Sequence, residues 1–151
     1  MKIAFDMDGV LKPMDLGFLH FCVGTSEIYK DSMESFRLHS ATESKPLFNP
    51  MYLAMPNDVL YVISNCGTKE FVQPKEKWLR HYYGDRLIFK PVFVPFGLWG
   101  KEFASRVAKE KLRIIKEEGI EVYYDDDPAI VDELRNLTNK VKIMKLSSRI
   151  I

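Results

Sequence analysis

The sequence predicts an α/β domain, a mostly parallel sheet with helices on both faces. Three observations predict it. Short apolar runs recur along the chain at Ile3–Phe5, Val59–Ile63 and Ile120–Tyr124, each too short for a stable helix and of the length of a strand buried on both faces. Segments with helical spacing alternate with these runs, and strand–helix alternation marks a parallel sheet. Each of the three runs also ends in a polar cluster, and open parallel sheets build their sites outside the carboxyl ends of their strands.

The elements follow in order. The opening stretch KIAFDMDGVL is a strand that breaks at two carboxylates, Asp6 and Asp8, where Gly9 frees the backbone to turn. Lys12-Pro13 ends this pattern. Residues 15–45 read as a small insertion or flap with one or two helices: Asp15 caps a short segment through Leu16, Phe18, Leu19 and Cys22, and Gly24 to Lys45 is polar and weakly periodic. Pro46 to Met55 reads as a helix stopped by Pro56-Asn57. VLYVI at 59–63 is a buried strand that runs into Ser64-Asn65-Cys66-Gly67. Thr68 to Tyr83 is helical, with Pro74 opening the main helix and Gly84 closing it. Leu87–Val94 reads as one or two short strands, because Pro91 argues against an uninterrupted central strand. PFGLWG at 95–100 is a turn-rich loop. Lys101 to Glu118 is a long helix, with Phe103, Val107, Leu112 and Ile115 near helical spacing and Gly119 as its stop. IEVYY is a strand broken by DDDP, Pro128 to Leu137 a helix, and Val141–Leu146 the last strand.

One domain spanning 1–151, with the flap as an insertion, is the economical organisation, and 151 residues suffice for a sizeable core. The composition, 46% hydrophobic and 28% charged, is that of an ordinary globular protein, and a net charge of +1 provides no global attraction to nucleic acid or membrane. Two cysteines, Cys22 and Cys66, are too few for a disulfide framework. With neither a leader pattern nor an apolar run long enough to span a bilayer, a cytoplasmic protein is expected.

Asp6 and Asp8 follow the first strand, Ser64 and Asn65 the second, and Asp125, Asp126 and Asp127 the Ile120–Tyr124 strand. Four or five carboxylates converging on one rim need a hard cation. Oxygen ligands favour Mg²⁺ over zinc, and no His or Cys pair has zinc spacing. Carboxylates beside Mg²⁺, facing hydroxyl and backbone donors, suit phosphoryl transfer. Asp127, directly before Pro128, is placed to cap a helix and needs no catalytic role.

The chain resembles the haloacid dehalogenase (HAD) superfamily of aspartate-based phosphotransferases over nearly its whole length. The DxDG motif stands as Asp6-Met7-Asp8-Gly9, followed by Val10. The strand ending in Ser or Thr stands as VIS at 62–64, and the strand ending in paired acids as YYDD at 123–126. The remaining family motif is a lysine, often about fourteen positions before the acidic pair. Lys111 stands there, and Lys101, after Gly100, is the alternative.

The resemblance implies a Rossmann-like, HAD-like sheet with a small cap and a division of labour among these residues. Asp6 is the nucleophile that forms an aspartyl-phosphate. Asp8 protonates the leaving oxygen and then activates water. Mg²⁺ is held by the Asp6 and Asp126 carboxylates, the Asp8 backbone carbonyl, and Asp125 directly or through water. Ser64 and the Asn65 amide hold phosphoryl oxygens, and Lys111 offsets charge between nucleophile and phosphate.

An intact Asp8 points to a phosphatase rather than a dehalogenase. About thirty residues between the first turn and the next core segment make a minimal lid. Such a site is open to a nucleotide or nucleic-acid terminal phosphate, or is closed by a second subunit; another small phosphorylated metabolite is the competing substrate. A receiver-like signalling domain and a phosphate-binding module without turnover are the readings from other classes. A receiver places its phospho-acceptor Asp mid-chain, where this chain has Ser64, and the intact motifs speak against lost turnover.

Overall fold

The computed structural model describes residues 1–12, 45–47, 49–95 and 100–146. The expected flap at 15–45 lies outside the described residues apart from Lys45, as does most of the 95–100 loop. Five strands form one sheet: β1 (Lys2–Phe5), β2 (Val59–Asn65), β3 (Leu87–Val92), β4 (Val122–Asp125) and β5 (Lys142–Lys145). Every pairing is parallel and the order is β3-β2-β1-β4-β5, a Rossmann-like arrangement. β1 is central because its residues are apolar on both faces. Ile3, Ala4 and Phe5 are all buried.

Alternation along the strands divides the core into two layers. Ala4, Tyr61, Ile63, Tyr123 and Ile143 face one way and pack under α2 (Gly100–Glu118) and α3 (Pro128–Leu137). Ile3, Phe5, Leu60, Val62 and Leu87 face the other way, against Trp78 and Leu79 of α1 (Val72–Tyr83). Fully burying side chains such as Phe5, Val62 and Ile63 contributes roughly 1.5–3 kcal/mol each. That apolar platform anchors the charged rim above it. No described helix is long and apolar enough to cross a membrane.

Several boundaries differ from expectation for local physical reasons. β3 runs unbroken through Pro91, which pairs in register with Ser64. The strand lies at the sheet edge, where a missing N–H is tolerated. The helix expected between Pro46 and Met55 is only a 3₁₀ turn, Pro50–Leu53. Asn49 caps it by accepting a hydrogen bond from Met51 N at 3.0 Å, and Ala54 is already extended. With Pro56 so near, too few residues remain to offset helix nucleation. Ile120 lies in the turn that caps α2 rather than in β4, since its N–H bonds to the Ile115 carbonyl at 2.9 Å. Asp127 caps α3 as expected, accepting from Ala129 N at 2.9 Å.

Candidate active site

The strand order reverses between β1 and β4, and the crevice above such a reversal is where open α/β sheets bind ligands. β1 and β4 align Phe5 with Tyr124, and Asp6 N donates to the Tyr124 carbonyl at 2.8 Å. The two acidic segments therefore leave the sheet side by side. Carboxylate oxygens of Asp6, Asp125 and Asp126 lie within 4.8 Å of one another. Beyond Asp6 the chain turns tightly, and the Met7 carbonyl accepts from the N–H groups of Val10, Leu11 and Lys12 at 3.3, 2.9 and 3.0 Å. Burial of Met7, Val10 and Leu11 fixes this turn.

Gly9, at φ +82°, packs directly against the Asp126 carboxylate, so a Cβ here would collide with it. Gly9→Ala is therefore expected to lower stability by about 1–3 kcal/mol and to weaken at least tenfold the binding of a divalent cation offered to these carboxylates. The cause is left-handed strain together with displacement of Asp126. Thermal unfolding with and without Mg²⁺ measures both effects.

Each face of the sheet sends one buried lysine to this rim. From α2, Lys111 Nζ donates to Asp6 Oδ1 at 3.0 Å, Asp125 Oδ2 at 2.9 Å and the Tyr123 hydroxyl at 2.7 Å. From α1, Lys75 Nζ donates to Ser64 Oγ at 2.8 Å, the Asn65 carbonyl at 3.1 Å and Asp8 Oδ2 at 3.1 Å. A third buried lysine, Lys12, reaches Asp8 Oδ1 at 3.3 Å. An ammonium group has three N–H donors, so these contacts account for every proton on Lys111 and on Lys75. Lys75 can only donate to Ser64, which leaves the Ser64 hydroxyl its own proton to give elsewhere.

Asp125 is fully buried, and its carboxylate is almost saturated. Oδ2 accepts from Lys111 and from the Tyr123 hydroxyl at 2.6 Å, and Oδ1 accepts from Asp127 N at 3.0 Å. Asn65 is similarly occupied. Its side chain donates to the Val94 carbonyl at 3.1 Å and accepts from Val94 N at 2.8 Å and Gly67 N at 3.3 Å. That side chain joins β2 to the segment after β3, which holds the carboxamide against the neighbouring backbone.

Among the described residues the cluster holds four carboxylates, Asp6, Asp8, Asp125 and Asp126, against three ammonium groups, Lys12, Lys75 and Lys111. The imbalance shows in the acidities. Burial and then the charge of Asp125 raise Asp6 well above the ordinary carboxylate range, against the pull of Lys111. Burial and Asp125 likewise push Asp126 up to about 6. Asp8 moves the other way: burial opposes ionisation, but Lys75 and Lys12 outweigh it and hold the carboxyl well below its usual range. On the Asp6–Asp126 side three carboxylates face Lys111 alone, so that side is two positive charges short, while Asp8 has two lysines to itself. An all-oxygen donor set with that deficit fits a hard divalent cation.

Comparison with known proteins adds little to this geometry. No protein-family model and no curated protein sequence matches the chain. A solved structure that is similar is the HAD domain of effector protein Lem4 from Legionella pneumophila. It is 12% identical, the match covers 99% of this chain and 88% of that chain, and the TM-score is 0.45. The fold assignment rests on strand order and direction, not on that distant likeness.

Of the residues singled out in the sequence, Asp6, Asp8, Ser64, Lys111, Asp125 and Asp126 come together at one rim. Lys101 is exposed on the first turn of α2 and does not join them. Sequence reasoning missed Lys75 and Tyr123 and gave Lys12 no role at the site. Periodicity marks Lys75, because it falls on the stripe of Phe71, Trp78 and Leu79, where a charge needs a buried partner.

Proposed function

We propose that the protein is a Mg²⁺-dependent phosphomonoester hydrolase of the HAD type, acting through an aspartyl-phosphate on Asp6. The observation that carries this reading is the pairing of Asp6 with Lys111 from one face, beside a Ser64–Lys75 pair from the other. A carboxylate at the end of β1 and a hydroxyl and ammonium pair at the end of the neighbouring β2 supply what a phosphate ester would need.

In the first step an oxygen of Asp6 attacks phosphorus, the bond to the leaving oxygen breaks, and that oxygen takes a proton from Asp8. In the second, a water attacks the same phosphorus and gives its proton to Asp8. Inorganic phosphate leaves and the Asp6 carboxylate is restored. Asp8 suits the exchange with solvent, since its side chain is 32% exposed while Asp6 is 13% exposed. Before substrate binds, Asp8 is ion-paired as a carboxylate. A phosphate dianion beside Ser64 draws Lys75 toward itself, which loosens one of those pairs and lets Asp8 take up the proton it later delivers. Lys75 is better placed than Lys111 to meet the phosphate. Two of its bonds are 3.1 Å long and exchangeable, whereas Lys111 is committed between two carboxylates. Asp6, Asp126 and the Asp8 carbonyl are the residues that would hold Mg²⁺, with the nearly saturated Asp125 acting through water. When bound, the ion neutralises charge on the phosphoryl oxygens.

The substrate class proposed with this chemistry is a nucleotide or nucleic-acid terminal phosphate. It comes from the resemblance of the acidic pair, and of the short stretch between the first turn and the next core segment, to nucleotidase and polynucleotide-phosphatase relatives. The test is phosphate release from an aryl phosphate, mononucleotides, sugar phosphates and 3′- or 5′-phosphorylated oligonucleotides with Mg²⁺. Activity that disappears with chelator is expected, and Lys75→Met should raise KM about tenfold or more, the worth of one charge-assisted hydrogen bond. No release from any of these substrates, or release indifferent to chelator, overturns the reading.

A further inference from the structure

We propose that Tyr123 is a positioning residue for Asp6, its buried hydroxyl keeping the Lys111 ammonium turned toward the Asp6 carboxylate; this rests on the phosphoryl-transfer reading above. Tyr123 stands two residues before Asp125 on β4, so both side chains rise on the α2 face of the sheet. The Tyr123 side chain is fully buried, and a Phe would satisfy the apolar packing there equally well. The hydroxyl has other work. It donates to Asp125 Oδ2 at 2.6 Å and accepts from Lys111 Nζ at 2.7 Å, closing a three-membered ring of contacts with the Lys111–Asp125 pair at 2.9 Å.

Two carboxylates compete for Lys111, and Asp125 is the more deeply buried of them. By giving Asp125 Oδ2 a second donor, Tyr123 reduces its demand on the ammonium group. By accepting one Lys111 N–H, it fixes the rotation of the other two, one toward Asp125 and one toward Asp6. Without the hydroxyl, Lys111 carries a buried donor with no acceptor, and Asp125 lacks one of its three donors. The void left by one oxygen is too small for a water. The available repair is for the ammonium to sink toward Asp125, which lengthens its contact with Asp6 and leaves the nucleophile less well held.

The experiment is Tyr123→Phe, which keeps the ring and removes only the oxygen. Expected results are a folded protein whose kcat on an aryl phosphate falls about tenfold while KM changes less than twofold. In a Lys111→Met background the same change should cost less than twofold, because the group it positions is gone. Heteronuclear NMR of lysine ammonium groups supplies a readout independent of turnover. A slowly exchanging Lys111 ammonium signal is expected in the wild type and should shift or broaden in Tyr123→Phe. An active wild type, with unchanged kcat and an unmoved Lys111 signal in the variant, overturns the positioning role alone. A wild type inactive on every phosphate tested overturns the reading on which the proposal rests.

Discussion

Asp6→Asn is expected to abolish turnover, by at least about 10³-fold, and at the same time to raise the melting temperature of the metal-free protein. The two effects have one origin. In the proposed mechanism Asp6 must be a carboxylate to attack phosphorus, yet it sits among Asp125, Asp126 and Asp8, with Lys111 as its one direct ionic partner among the described residues. A carboxyl group whose pKa is raised in the folded state weakens the fold as pH rises through the unfolded value and on toward the raised folded one. At neutral pH Asp6 therefore costs stability unless a cation is bound. Asparagine removes the charge and keeps an oxygen for Lys111. A rise of about 2–8 °C follows from a gain of about 1–2 kcal/mol in a chain of this size. Differential scanning fluorimetry at pH 7 with chelator, beside a steady-state assay with Mg²⁺, measures both. Added Mg²⁺ should reverse the order of the two melting temperatures, since the wild type binds the ion more tightly. Undiminished activity in the variant would sink the aspartyl-phosphate mechanism.

Lys111→Met is expected to unfold the protein more readily than any other single change at the rim. The ammonium group is buried and faces two carboxylates, and its removal leaves Asp6 and Asp125 without their shared partner. Breaking a buried pair by deleting one member costs about 3–5 kcal/mol, which lowers the melting temperature by about 10 °C or more. Methionine nearly matches the length of the lysine stem, so packing along α2 is retained and the charge is what is tested. Mg²⁺ should recover part of the loss, because a cation against Asp6 and Asp126 replaces some of the missing charge. Lys101→Met is the control. Lys101 is exposed, and its loss is expected to change neither stability nor activity. Equal melting temperatures for the two variants would contradict the network described here.

The choice between these two lysines shows how far periodicity could be pressed. Lys109, Arg113 and Lys116 are exposed, and they make the whole segment look like a solvated helix face. Lys111 lies instead on the buried stripe of Ala104, Val107, Ala108, Ile114 and Ile115. A charge on that stripe is unfavourable unless acids meet it, and the strand ends supply the acids. Lys75 carries the same signal on α1. It was not legible alone, because one lysine beside Pro74 and Lys77 in a first turn reads equally well as surface. The role of Asn65 was hidden for another reason. A polar residue after a strand can face a ligand or the neighbouring backbone, and only the position of Val94 across the edge strand decides it.

The sequence by itself determined the alternation of strands and helices, the three strand ends that carry polar groups, and the pairing of Asp6 and Asp8 with Asp125 and Asp126. Burial and period are local properties that each segment reports on its own. Tertiary structure decided that Lys75 and Lys12 join Lys111 at those acids, because partners in an ion network are set by the packing of segments far apart in the chain. Lys111 and Lys75 reach the rim from opposite faces of the sheet, joined to it by Tyr123 on one side and Ser64 on the other. No spacing rule within a single segment contains that arrangement.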